Sequence, residues 1–275
     1  MLKTPIIDVI GYKDSGKTSI VEKIVRRTTD QGYRVCVIKH VHDPSFSFDT
    51  PGKDSWRVAQ AGAKTVILVS GTRRVIMENA EFKREDLDRL LAFGENLDLI
   101  IVEGFKSTKP TNLDMHYILA VRNEDDITAL SKGRSNIILV NNPVALKSKS
   151  TQGFPSGNLI LEDEAAMSFI DKTIVPLIIA GKIWKTLPDL DCADCGYRTC
   201  RDMAIALAAK KGREARCPIE LTPQRLKVQV GESRIAMKHF VQDIIRSSIL
   251  AMVSTLRGAN VSGKENVTIV IEKET

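Results

Sequence analysis

Aromatic residues are scarce in this chain of 275 amino acids: phenylalanine, tryptophan and tyrosine together make up 5%. Such a chain offers few faces on which unpaired bases can stack, so no nucleic-acid partner is expected. Long apolar runs are also missing. The stretch Ile174 to Ala180 contains Pro176 and falls far short of the roughly 20 residues that cross a bilayer. The early run Pro5 to Ile10 is too short for a signal peptide and passes at once into a glycine-rich loop. No membrane association is expected, and the expected compartment is the cytoplasm. There is no low-complexity tract and no internal repeat. Cysteines number only five. In a reducing compartment they point away from disulfides and towards metal or redox chemistry. Neither sign of charge dominates: the net charge is +6 with a pI near 9.0, mild enough to tune attraction to phosphate-bearing ligands without identifying a partner.

What is present over residues 1–180 is an alternation of strand-like and helix-like segments. Ile6 to Ile10 reads as a buried strand and Ser19 to Asp30 as a helix with Ile20, Ile24 and Val25 on one side. Arg34 to Lys39 is a second strand, Lys53 to Ala61 a helix, and Thr65 to Ser70 a third strand that pairs with Arg74 to Glu78 across Gly71-Thr72. Glu85 to Phe93 has the pattern of a charged helix. Leu97 to Val102 is continuously apolar, as at the centre of a parallel sheet. Tyr117 to Val121 and Asn136 to Val140 are further strands, and Glu162 to Asp171 a helix. The rhythm predicts an α/β fold, a mostly parallel sheet flanked by helices. The texture changes near residue 181. The division expected is 1–180 for the first domain and 181–275 for a small α+β domain. The latter holds four cysteines, a long amphipathic helix over Gly231 to Leu256 and a last strand at Val267 to Ile271.

Chemistry concentrates first in Gly11-Tyr12-Lys13-Asp14-Ser15-Gly16-Lys17-Thr18, which joins the first strand to the first helix. This is the context in which Gly-x4-Gly-Lys-Thr forms a phosphate-binding P-loop. Gly11 and Gly16 let the backbone wrap closely, and Asp14, Ser15, Gly16 and Ser19 lie where amide groups can face phosphate oxygens. The helix start adds its positive end. Lys17 is expected to reach the β- and γ-phosphates and Thr18 to ligate Mg²⁺. A second magnesium ligand is expected at the end of a neighbouring strand, where ligands collect in open α/β sheets, and Glu103 ends the apolar run there. Lys39, His40, His42 and Asp49 follow the second strand. They are read as contacts to phosphate or substrate, with metal ligation by His40, His42 and Asp49 the alternative.

The P-loop, with Ile38-Lys39-His40, Asp49-Thr50-Pro51-Gly52-Lys53-Asp54-Ser55, Ala61-Gly62-Ala63 and Val102-Glu103-Gly104-Phe105-Lys106, resembles the MobB family. These are the molybdopterin-guanine dinucleotide biosynthesis B proteins, and the resemblance covers residues 5–180. It implies a P-loop NTPase domain that binds GTP with Mg²⁺ and hydrolyses it slowly. It implies partnership with the guanylyltransferase that joins GMP to molybdopterin, molybdopterin itself as a ligand, and a homodimer. One departure stands out. Typical GTPases read guanine with Asn-Lys-x-Asp after a late strand, and here Val140-Asn141-Asn142-Pro143 has no aspartate. Guanine preference therefore rests on the resemblance. No arginine finger or catalytic glutamine stands in a defined position, so no catalytic residue is assigned.

The second signal is Cys192-x2-Cys195-x4-Cys200-x16-Cys217-Pro218. Four thiolates in a short span can hold a tetrahedral zinc or an iron–sulfur cluster. Zinc ribbons show two matched knuckles, whereas the wide last gap ending in Cys-Pro suits a cubane. The segment 183–220 resembles the small four-cysteine [4Fe-4S] domain of corrinoid iron–sulfur proteins and membrane electron-transfer subunits. That resemblance implies Cys192, Cys195, Cys200 and Cys217 as ligands. Cys36, inside an apolar strand, reads as a small buried hydrophobe. The two resemblances together imply a GTP-binding accessory protein of molybdenum or tungsten cofactor biosynthesis with an iron–sulfur domain. The alternatives are a nucleotide-switched redox activator of a metalloenzyme or corrinoid protein, and a metallocentre-insertion GTPase.

Overall fold

The computed structural model describes residues 2–41, 43, 46–78, 80, 86, 90, 96–105, 114–141, 153–160, 163–210, 216–221, 226–231, 233–259, 261 and 267–271. The expected helix over Glu85 to Phe93 falls almost wholly outside them, as do His42, Lys106, Asn142 and Pro143. The chain divides into two compact units, Met1–Ile178 and Ile179–Thr275.

The first unit is built on a six-stranded sheet in the order β2-β5-β1-β6-β7-β8. Its strands are β1 (Ile6–Gly11), β2 (Val35–Lys39), β5 (Leu99–Glu103), β6 (Met115–Ala120), β7 (Ile137–Asn141) and β8 (Ser156–Gly157). Every recorded pairing in it is parallel. All residues of β1 and β5 are buried, which is why their sequences are near-continuous apolar runs. Ile6 and Ile10 join one core, and Ile7 and Val9 the other. Helix α1 (Lys17–Asp30) closes the second core with Ile20, Val21 and Ile24. Each such side chain contributes roughly 1.5–3 kcal/mol of burial. On the opposite face α3 (Glu124–Ser131) supplies Ile127 and Leu130. Its start is capped by Asn123, whose side chain accepts the Asp126 N–H. The short helix α2 (Asp54–Gln60) leads to β3 (Thr65–Val69) and β4 (Arg74–Glu78), which among the described residues pair only with each other, antiparallel, as the intervening turn suggests.

The helix expected to end at Asp171 does not end there. α4 (Asp163–Phe169) passes into a π-helical turn at Ile170–Ile174 and then into α5 (Val175–Thr186). Pro176 has no N–H for the carbonyl four residues back, and its ring crowds that carbonyl. A wider turn immediately before it lets the chain stay helical. In the second unit α6 (Cys200–Ala208) and α7 (Pro218–Leu221) are followed by an antiparallel pair, β9 (Val228–Val230) with β10 (Ser233–Ile235). The long helix expected from Gly231 therefore starts later, as α8 (His239–Ser254). Gly231 instead makes the hairpin turn, with φ 59. The expected final strand is not formed: Val267–Ile271 pairs with nothing among the described residues and is exposed throughout. Its five consecutive β-branched residues have the propensity for a strand but no neighbouring edge among the described residues, and propensity alone does not make one.

Asp8 was not singled out in the sequence. It sits within β1 among apolar neighbours, 5% exposed, and its Oδ1 finds no hydrogen-bond partner among the described residues. Burial pushes its carboxyl from 3.8 up to about 7, with the Arg134 guanidinium pulling the other way. The folded state then holds a proton that the unfolded chain releases, so this contribution to stability is full below the unfolded value and disappears as pH rises through about 7. From pH 5 to pH 8 the first unit should lose roughly 3 kcal/mol of unfolding free energy through this group. Urea unfolding of Asp8→Asn should show less than half of that slope. Equal slopes in the two proteins would contradict the account.

Candidate functional site

The loop between β1 and α1 is drawn tight around one carbonyl. Tyr12 O accepts from the Ser15 N–H at 3.3 Å, from Ser15 Oγ at 2.8 Å and from Lys17 Nζ at 2.6 Å. Asp14 and Gly16 both take the left-handed conformation, with φ 61 and 81. Such an arrangement turns successive amides towards one concave side. Gly16 caps α1 without a side-chain hydrogen bond, and the first turn of α1 carries no acidic residue. Its amides therefore keep their capacity for an outside acceptor. A Cβ at Gly11 would overlap Ala120 O and Ser15 Oγ, and one at Gly16 would overlap the Ile160 side chain. Close approach of the Ala120 backbone requires glycine at 11, and the left-handed φ of 81 favours it at 16. A cleft of about 410 Å³ runs along α1 from Ser19 to Asp30, with Lys23, Arg26, Ile160, Asp163 and Met167 in its lining, and none of Gly11 to Thr18 lines it.

Three strand ends meet at this loop. β5 lies between β1 and β2, with Glu103 in register with Val9 on one side and Lys39 on the other. Glu103, 4% exposed, accepts a hydrogen bond from Thr18 Oγ1 at 2.9 Å. Lys39 Nζ stands 3.3 Å from Glu103 Oε1 and 3.3 Å from Thr18 Oγ1. The His40 N–H continues the pairing by donating to Glu103 O at 2.9 Å, and the His40 ring lies 5.1 Å from that of Phe105. Gly104 follows with φ 96, and a Cβ there would come within 2.9 Å of His40 O. The glycine after the carboxylate is thus what allows the two strand ends to close. Chemically, the corner offers a hydroxyl, a carboxylate and an ammonium beside a loop of inward amides, a combination suited to a cation with a polyanion.

Not every residue singled out in the sequence joins this corner. Asp49 Oδ1 accepts the Thr50 N–H within its own turn. Asn141 is fully buried and accepts the Leu159 N–H at its Oδ1, at 2.6 Å, tying the end of β7 to the loop before α4. One residue the sequence did not flag is Arg122, just past β6. Its guanidinium lies 4.9 Å from the centroid of the Tyr12 ring and is held by both oxygens of Asp126, at 3.0 and 3.2 Å. That hydrogen bonding holds the guanidinium above its ordinary range.

In the second unit all four cysteines of the motif share one small core. Cys200 and Cys217 are buried within it, and Cys192 and Cys195 are packed half-buried against it. None is in a disulfide. Asp189, Asp191, Ala193 and Gly196 are all left-handed, with φ 60, 44, 61 and 84. Three non-glycine residues in that conformation within five positions mark a strained loop. It is secured by Asp189, which accepts Trp184 Nε1–H at 2.7 Å, and by Asp191, which accepts the Cys200 N–H at 2.7 Å. Thr199 and Asp202 form a reciprocal capping box at the start of α6, fixing Cys200 on its first turn. Lys238 Nζ reaches Cys192 O and Asp194 Oδ1, each at 3.3 Å. Four soft thiol donors gathered in one core fit an iron–sulfur cluster in type. Among the described residues no three of His, Cys, Asp or Glu stand close enough together to hold a metal ion. The thiols are gathered, then, without being at coordination spacing.

Comparison with known proteins follows the same division. Residues 6–140 match the family model described as "Molybdopterin guanine dinucleotide synthesis protein B", MobB. Residues 187–219 match one described as "Putative Fe-S cluster". A Methanocaldococcus jannaschii protein described as "Putative molybdopterin-guanine dinucleotide biosynthesis adapter protein" is 27% identical over 270 residues, 98% of each chain. The Haemophilus influenzae molybdopterin-guanine dinucleotide biosynthesis adapter protein is 35% identical over 136 residues, 42% of this chain and 73% of that one. The crystal structure of Bacillus subtilis MobB covers 61% of this chain and 97% of its own, with a TM-score of 0.49 and 24% identity. No helix among the described residues is long and apolar enough to cross a membrane. On the sequence identity shared with the adapter proteins, and on a P-loop, strand-end carboxylate and parallel sheet that agree with it, this chain belongs to the MobB family of molybdopterin-guanine dinucleotide biosynthesis adapter proteins.

Proposed function

We propose that the first unit binds GTP with Mg²⁺ and presents it, or the change it drives, to the guanylyltransferase that makes molybdopterin guanine dinucleotide. The observation that carries this reading is the contact between Thr18 Oγ1 and Glu103 Oε1 at 2.9 Å beside the start of α1, where no side chain caps the helix. Gly11, Asp14, Ser15, Gly16 and Ser19 line the phosphate loop, Lys17 unfolds from Tyr12 O to reach the β- and γ-phosphates, and Thr18 with Glu103 holds the magnesium. Lys39 and His40 contact phosphate or substrate, and Asp49 acts in the same loop. Bound magnesium would neutralise charge on the phosphates and orient them. Hydrolysis is slow, because Arg122, whose guanidinium lies against the Tyr12 ring of the loop, is tied to Asp126. Molybdopterin is the ligand the partner carries. A homodimer is part of the proposal, supported by the β3–β4 hairpin, which leaves Ile67, Val69 and Ile76 exposed.

The second unit holds a [4Fe-4S] cluster on Cys192, Cys195, Cys200 and Cys217. The strained loop and the common core of the four thiols support that reading. A bound cluster supplies one-electron chemistry. The residues of this chain place the thiols and, through Asp191 and Thr199, orient the start of α6. The observation that would favour the second reading, a nucleotide-switched redox activator, is a cluster potential that moves when nucleotide binds.

Two outcomes are expected. In calorimetry with Mg²⁺, GTP binds more tightly than ATP, and Lys17→Ala weakens GTP roughly 100-fold, since a charged hydrogen bond to phosphate is lost. Equal affinities would remove the guanine assignment, and unchanged binding in Lys17→Ala would remove the P-loop assignment. Protein purified without oxygen is expected to be brown with about four irons per chain, and Cys195→Ser to lose the visible band. A colourless preparation carrying stoichiometric zinc would contradict the cluster.

A further inference from the structure

The corner of Thr18, Glu103 and Lys39 holds more information than a pair of metal ligands. Thr18 Oγ1 and Glu103 Oε1 are 2.9 Å apart. Two oxygens bound side by side to an octahedral Mg²⁺ at about 2.0–2.1 Å lie about 2.9 Å from each other, so these two already stand at the spacing of neighbouring ligands. The same two oxygens share a third neighbour. Lys39 Nζ is 3.3 Å from each of them. It is delivered there by the parallel register of β2 and β5, which sets Lys39 opposite Glu103, and the His40 N–H locks that register one residue further on.

An ammonium at this distance from both oxygens lies within about 4.5 Å of any ion that the two ligate together. Lys39 already balances the Glu103 carboxylate. A divalent ion would have to shed water to enter, and would meet a fixed positive charge at a site whose carboxylate is almost fully buried. We infer that Lys39 competes with the divalent ion for Thr18 and Glu103, so that the metal binds tightly only together with a triphosphate. The incoming phosphates bring the negative charge that both cations need and accept the ammonium as it swings away. The Lys39 side chain is 49% exposed and has four rotatable bonds and a compact head, which permits that swing. Lys39 is thus a positioning residue that couples metal entry to nucleotide entry. This rests on the reading of Thr18 and Glu103 as magnesium ligands.

The test uses Mn²⁺ alone, titrated into the full chain without nucleotide and followed by the electron paramagnetic resonance of the free ion. Lys39→Met should bind Mn²⁺ at least roughly tenfold more tightly than wild type, because the opposing charge is gone. Lys39→Arg, which keeps the charge, should stay near wild type, and adding Glu103→Gln to Lys39→Met should abolish the gain. Lys39→Gln serves as a second uncharged variant, and thermal melts check that each is folded. Equal Mn²⁺ affinity in wild type and in the folded uncharged variants would overturn the inference. Triphosphate binding to wild type, measured alongside, separates the two layers. A chain that binds no triphosphate removes the P-loop reading, whereas equal Mn²⁺ affinities in a chain that does bind it remove the role of Lys39 alone.

Discussion

The hydrogen bond from the Thr18 hydroxyl to the Glu103 carboxylate joins residues 85 apart in sequence, and the first unit is arranged so that it can form. Thr18 is on the opening turn of α1, so its place depends on the tight loop around Tyr12 O. Glu103 is at the end of β5, so its place depends on β5 pairing between β1 and β2. That pairing is secured by a buried apolar layer on each face of the sheet. Gly104 then has to take a left-handed conformation against the backbone of His40, or the strand ends would be forced apart. A buried carboxylate costs several kcal/mol unless it is hydrogen-bonded or paired. Here Thr18 and Lys39 supply both, which makes the corner stable and also makes it a place where one cation can exchange for another.

The second unit solves a different problem with similar means. A core this small gathers little apolar area, and its centre is made of thiols packed with Leu187, Met203, Ala204 and Ile219. The loop bearing Cys192 and Cys195 is held in left-handed conformations that side-chain hydrogen bonds from Asp189 and Asp191 sustain. Strain of order 1–3 kcal/mol per such residue persists only where the surroundings over-determine it. A bound inorganic core would add to that determination, since metal binding in small domains is itself folding free energy.

Much of this was readable in the chain. The P-loop, the strand that feeds it, the carboxylate at Glu103 and the four spaced cysteines are local patterns whose chemistry follows from residue type and spacing. The hairpin of Thr65–Val69 with Arg74–Glu78 was readable for the same reason. The π turn was hidden because Pro176 argues for a stop, and only the wider turn before it keeps the helix going. The apolar positions of 231–256 extend a helical pattern into what is a β-hairpin, so the helix is shorter than the pattern. Val267–Ile271 has strand propensity but no described edge to join. Asp8 and Gly104 take their significance from the pairing of strands tens of residues apart, which no local window contains, and the same register sets Lys39, expected as a phosphate or substrate contact, beside Glu103.

The central claim is that Thr18 and Glu103 form the cation half of a triphosphate site. It is tested most directly by the magnesium dependence of triphosphate affinity in wild type and Glu103→Gln. The account predicts that Mg²⁺ strengthens binding to wild type at least roughly tenfold, the worth of one charge-assisted ligand, and that Glu103→Gln loses most of that increment while keeping its magnesium-free affinity. An equal magnesium increment in both proteins would contradict it.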